Sequence, residues 1–247
     1  MLRSFAGGTL FGARTGEGPP AVLALHGWAR THRDFDAVLA PPGRRPLDAI
    51  AVDLPGFGAT PPPAAVWGSD AYADRVAEVV TEMAAPVVVL AHSFGGRVAV
   101  HLAASRPDLV RGLVLTGVPL VRVRPPARPA RRFRVVRALH RAGLLGEERM
   151  EAARRHHGSA DYAAAEGIMR AVFVQTVQED YSALLAAVTS PVSLVWGADD
   201  TTVPPAVAEA AAARFRQAEV TLCPGVGHLL PLAAPDELRA AVERHLP

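Results

Sequence analysis

The chain has 247 residues, half of them apolar, and a formal net charge of +2. Such a chain can bury a sizeable core as one large domain or two small ones, which excludes a disordered polypeptide. All 26 cations are arginine, so the basic isoelectric point reflects a slight excess that persists to high pH; a concentrated nucleic-acid footprint is not implied.

The N-terminal stretch "MLRSFAGGTLFGARTGEGPP" lacks the apolar core of a signal peptide. No apolar run reaches the roughly 20 residues of a membrane span. The single cysteine, Cys223, allows no internal disulfide and fits a reducing compartment. A soluble, cytoplasmic protein is the expectation.

Strands are predicted at 9–13, 21–26, 49–53, 87–91, 112–116, 192–196 and 220–224. Several are unbroken Val/Leu/Ile runs, the pattern of strands buried on both faces of a parallel sheet. Helices are predicted at 71–83, with Ser69 or Asp70 as N-cap, and at 95–105, 205–214 and 236–245. Alternating strands and helices mean an α/β domain.

Residues 121–187 break the rhythm. They hold no convincing strand, only helical patches at 132–142, 147–157 and 163–177, and read as a helical insertion. "PPPAAVWG" and "RPPARPA" read as loops because proline withholds a backbone donor. The arginine-rich run at 121–143 reads as a solvated helix with its leading loop. His156 and His157 are adjacent, cannot share a helix face, and read as ordinary residues of the insertion.

The joint in "VVVLAHSFGGRVAV" carries the chemistry. Ser93 sits between a buried strand and a helix, flanked by Ala91, Gly95 and Gly96. A sharp strand-to-helix turn pushes such a hydroxyl out at the top of a sheet, beside a helix N-terminus that favours developing negative charge. Ala91 departs from the first glycine of G-x-S-x-G, but alanine is small enough for the turn. The hydroxyl needs a base, and the base needs a carboxylate. Of nine histidines, only His228 lies in a glycine-flanked loop between a strand end and a final helix. "WGADDTTVPP" offers the acid. Asp200 is favoured by its spacing from Gly197, Asp199 being the alternative that would otherwise cap the turn.

The order Ser93, Asp200, His228, together with "LALHGWA", "VDLPGFGAT", "AHSFGG", "WGADDTTVP" and "GVGHLLPLAAP", resembles the α/β-hydrolase superfamily over essentially the whole chain. The resemblance implies a mostly parallel central sheet covered by helices on both faces. It implies a core of 1–120 and 188–247, with 121–187 as a helical lid inserted after the strand that ends near residue 116. It makes the Trp28 and Phe94 backbone N–H groups an oxyanion hole, each worth on the order of 3 kcal/mol of barrier. It makes Asp53 a brace for that loop, and His26 a structural hydrogen-bonder.

The function expected is hydrolysis of a small carboxylic ester, thioester or lactone through an acyl-enzyme. Arg97, one turn beyond Ser93, also occurs in a "GGR" like that of MenH-type lyases. It is a candidate clamp for a substrate anion, so carbon–carbon bond hydrolysis or lyase chemistry is the alternative. A non-catalytic ligand-binding member of the fold is the third reading. The serine disfavours dehalogenase and epoxide hydrolase chemistry, and the triad with "HGW" also resembles cofactor-free haloperoxidases. No cofactor is implied, and one cysteine with no H-E-x-x-H gives a metal little support. The partner is a small-molecule substrate; the oligomeric state stays open, a homo-oligomer included.

Overall fold

The segment Val87–His92 is a strand buried along its whole length, hydrogen-bonded on both sides. Its alternate residues serve two different cores. Val87, Val89 and Ala91 belong to one hydrophobic cluster, Val88 and Leu90 to the other. Side chains on a strand point to opposite faces in turn, so an unbroken apolar run is what a doubly covered sheet requires. The computed structural model describes residues 1–83, 86–123, 131–157 and 160–247, with the side chains of 131, 154–157 and 160 outside the description.

The sheet has eight strands, β1 (Leu2–Phe5), β2 (Leu10–Thr15), β3 (Val22–Leu25), β4 (Ala49–Asp53), β5 (Val87–His92), β6 (Val110–Thr116), β7 (Val192–Gly197) and β8 (Ala218–Cys223). Their spatial order is β1-β2-β4-β3-β5-β6-β7-β8. Only the β1–β2 and β2–β4 pairings are antiparallel. Strand β1 was not foreseen, because three of its four residues are exposed and leave no apolar run to read.

The helices are α1 (Asp36–Leu39), α2 (Ser69–Thr81), α3 (Phe94–Ser105), α4 (Arg131–Arg141), α5 (Glu147–His157), α6 (Ala160–Ala164), α7 (Gly167–Gln178), α8 (Ser182–Ala187), α9 (Pro205–Ala212), α10 (Leu230–Ala233) and α11 (Pro235–His245). Residues of α2, α3 and α9 pack into the first cluster, those of α1, α10 and α11 into the second. Thus helices cover both faces.

Helices α4 to α8 fall between β6 and β7, strands that are parallel neighbours. The predicted helix at 163–177 is instead two, α6 and α7. Glu166 is extended and Gly167 has φ +52°, which interrupts the helical ladder. The loop expected at "RPPARPA" lies outside the described residues, as do the side chains of His156 and His157.

The expected cap of α2 is also corrected. Gly68 occupies the N-cap position, and neither Ser69 nor Asp70 caps with its side chain. The carboxylate of Glu179, 110 residues on, accepts the Ser69 N–H at 2.9 Å. A distant acid thus supplies what the local sequence was expected to provide.

Candidate active site

Ser93 sits at φ +48°, ψ −110°, a conformation L-residues rarely adopt. Its N–H donates to the Thr116 carbonyl at 2.9 Å, and the Gly95 N–H donates to the His26 carbonyl at 3.0 Å. A Cβ on Gly95 would lie 2.3 Å from the Leu25 carbonyl oxygen, and one on Gly96 2.2 Å from the Val118 side chain. Both glycines are therefore dictated by close packing of β3, the loop after β6 and α3. Ala91 fits at the first position of the turn, fully buried.

Across the rim, the loops after β7 and β8 meet backbone to backbone. A Cβ on Gly197 would lie 2.3 Å from the Val226 carbonyl oxygen. The Asp199 N–H donates to that same carbonyl at 2.9 Å. This contact brings His228 Nδ1 to 2.7 Å from Asp200 Oδ2. The other oxygen, Oδ1, accepts the Thr202 and Val203 N–H groups, each at 2.8 Å. The turn is thus capped by Asp200, not by Asp199, which is exposed. A carboxylate holding two N–H donors on one oxygen is an acceptor on the other. The proton of the shared bond therefore belongs to His228 Nδ1, which in the neutral ring leaves Nε2 bare. Among the described residues no hydrogen bond joins the Ser93 hydroxyl to the His228 ring; such bonds are often loose before substrate arrives.

The loop after β3 is fixed by two buried groups. His26 Nδ1–H donates to the Gly27 carbonyl at 2.7 Å, and its Nε2 accepts the Leu54 N–H at 2.9 Å. Both ring nitrogens are occupied, and burial lowers the His26 pKa to about 4, so the ring stays neutral. Asp53 Oδ1 accepts the His32 N–H and the His32 ring N–H, both at 2.8 Å, and Oδ2 accepts the Ala59 N–H at 2.9 Å. Burial pushes the Asp53 carboxyl upward, but these donors outweigh it and hold the pKa below the usual value. Neither the Trp28 nor the Phe94 backbone N–H has a hydrogen-bond partner among the described residues.

A cleft of about 610 Å³ opens beside these groups. Its floor includes Trp28, Ser93, Phe94 and Arg97, and its far wall is Phe173, Val174, Thr176 and Val177 of α7. Trp28 packs edge-on against Phe94 and Phe173, with ring centroids at 5.4 and 5.0 Å. The α7 residues were not assigned to the site from sequence. Their pattern is that of any amphipathic helix, and only the chain's return over α3 gives them this role. Arg97 lines the cleft, but one of its nitrogens donates to the Thr176 carbonyl and its guanidinium lies 5.5 Å over the Tyr181 ring. No carboxylate pairs with it among the described residues. Nor do these residues contain a group of three His, Cys, Asp or Glu that could hold a metal ion. None of their helices is long and apolar enough to cross a membrane.

Comparison with known proteins agrees with this architecture. Residues 22–241 match the model of a family described as "Alpha/beta hydrolase family". Lipase LipV of Mycobacterium tuberculosis is 42% identical over 99 residues, which cover 40% of this chain and 37% of that protein. A pimeloyl-[acyl-carrier protein] methyl ester esterase of Aromatoleum aromaticum is 29% identical over 91% of this chain and 97% of its own. A thermophilic esterase from Thermogutta terrifontis superposes with a TM-score of 0.70 at 25% identity, covering 99% of this chain and 97% of the other.

Proposed function

The chain belongs to the alpha/beta hydrolase family, and we propose that it is a serine hydrolase of a small carboxylic ester, thioester or lactone. The observation that carries this reading is the 2.7 Å contact between His228 Nδ1 and Asp200 Oδ2, where Asp200 also holds Thr202 and Val203, residues that line the cleft together with the strained Ser93. The names of its relatives, a lipase and a methyl ester esterase, support ester cleavage.

His228 Nε2 takes the Ser93 proton as Oγ attacks the substrate carbonyl carbon. The carbonyl π pair moves to oxygen, where the free Trp28 and Phe94 N–H groups receive the charge. The tetrahedral species collapses, the bond to the leaving group breaks, and His228 gives that group its proton. Water repeats the sequence on the acyl-enzyme and releases the acid. Asp200 holds the imidazole in the required tautomer throughout.

The insertion between β6 and β7 acts as a lid through its described helices, since Phe173, Val174, Thr176 and Val177 of α7 line the same cleft as Ser93. That wall is mainly apolar, with Phe173, Val174 and Val177 beside the polar Thr176, which favours an acyl group of largely apolar character. The lone Cys223, buried, fits work in the cytoplasm. Turnover of p-nitrophenyl esters of graded acyl length tests the reading. Ser93→Ala should lower it by several orders of magnitude; unchanged turnover would refute it.

A second reading keeps the same triad for carbon–carbon cleavage or lyase chemistry on an anionic substrate. It is favoured by Arg97, a cation lining the cleft that forms no ion pair with a carboxylate among the described residues, although Asp161 lines the same cleft. Turnover of anionic diketones with poor activity on every simple ester would select it.

A further inference from the structure

His92 is the last residue of β5, next to Ser93, and is 2% exposed. Its Nε2 lies 3.1 Å from the backbone carbonyl oxygen of His228. A carbonyl only accepts, so Nε2 carries the proton and Nδ1 is bare. That Nδ1 is buried without a hydrogen-bond partner among the described residues. The ring is also packed tightly. A Cβ on Gly27 would lie 2.7 Å from Nδ1; one on Gly117 would lie 3.4 Å from the His92 Cδ2 and 2.8 Å from the His228 Cε1. The His92 and His228 rings themselves are 4.9 Å apart between centroids.

Packing alone does not account for an imidazole here. A phenyl ring fills similar space and leaves no orphaned nitrogen in the core. What phenylalanine lacks is the Nε2–H donor. That donor ties His228 to the residue next to Ser93, on the same rigid strand. The separation between the hydroxyl and the imidazole is then set through one short, buried path.

We propose that His92 is a positioning residue for His228, fixing through its bond to the His228 carbonyl the placement of that ring relative to Ser93. The proposal rests on the triad reading given above. Burial, then the neighbouring His228, lowers the His92 pKa to about 4, so the ring remains a neutral donor at working pH. The other charged groups acting on it are Asp34 and Arg30, which pair with each other at 2.6 Å, while Asp200 faces His228.

The test compares wild type, His92→Phe, His92→Gln and Ser93→Ala on a short-chain p-nitrophenyl ester, with thermal unfolding of each. His92→Phe should lower kcat by about ten- to a hundredfold, with KM within about threefold. His92→Gln, which keeps a donor, should recover most of it. The far-downfield proton resonance of the His228–Asp200 bond should broaden in the phenylalanine variant and return in the glutamine one. If His92→Phe does not fold, His92→Met, apolar and without a donor, takes its place. Wild-type kcat and an unchanged resonance in a folded donorless variant would overturn the proposal, whatever happens to stability. Should Ser93→Ala keep its turnover, the triad reading fails and this proposal with it. An inactive Ser93→Ala beside a fully active His92→Phe sinks the proposal alone.

Discussion

Asp200 divides its two oxygens between unlike tasks: Oδ2 meets the His228 ring at 2.7 Å while Oδ1 holds the Thr202 and Val203 N–H groups. Asp200→Asn preserves the turn, because an amide oxygen still accepts from the backbone. Its NH₂ cannot accept from Nδ1–H, so the imidazole adopts the wrong tautomer. We expect kcat to fall by roughly 10³- to 10⁴-fold with little change in unfolding temperature. Asp199→Asn should stay within about twofold of wild type, since surface changes are usually near neutral. Steady-state kinetics on an activated ester distinguishes the two.

Gly95→Ala places a methyl group 2.3 Å from the Leu25 carbonyl oxygen, which is backbone and cannot swing aside. Relief requires β3 and α3 to separate. Overpacking of this kind destabilises by about 1–3 kcal/mol, a fall of several degrees in unfolding temperature for a chain of this size. Because the same shift moves Ser93, esterase turnover should fall further than stability does. Calorimetry and kinetics on one preparation check both.

Stability should decline as pH drops from about 6.5 towards 4. Burial lowers the pKa of His26 and of His92 from 6.5 to about 4. Between those values the unfolded chain binds protons on both rings and the folded chain does not. Unfolding therefore becomes easier as pH falls through that window. Asp53 adds nothing there: its depressed pKa gives stability that is present above 3.8 and is lost only at lower pH. Unfolding temperature should thus fall between pH 6.5 and 4 in wild type and less steeply in His92→Phe. A flat profile in wild type would contradict the burial argument.

Arg97→Ala removes the donor to the Thr176 carbonyl of α7 and the cation over Tyr181, two contacts that tie α3 to α7 and to the start of α8. We expect KM for neutral esters to rise several-fold with kcat within about threefold, because the residue shapes the wall rather than the reacting atoms. Arg97→Lys should not restore it, since an ammonium lacks the planar fork that donates and stacks at once. A matched loss of kcat on anionic substrates only would instead favour the anion-clamp role.

The parts legible in the sequence were those whose signal is local. Val87–Ala91 reads as a doubly buried strand because both faces demand apolar residues. The Ser93 turn reads from its glycines, and the acid and imidazole loops read from strand ends followed by proline. The Gly197 spacing and the TTVP that follows favour Asp200 over Asp199, and Asp200 is the one that meets the His228 ring, at 2.7 Å. What stayed hidden depends on distant partners. Glu179 caps α2 from 110 residues away. Phe173 and Val177 become a cleft wall only once β6 and β7 lie side by side. Exposed β1 has no apolar run, and its pairing with β2 is a matter of tertiary register.

The φ of +48° at Ser93 has an evolutionary corollary. Glycine would occupy that geometry without protest, so a lineage released from chemical duty should drift to glycine there and become sturdier for it. Stability alone would favour glycine at this position.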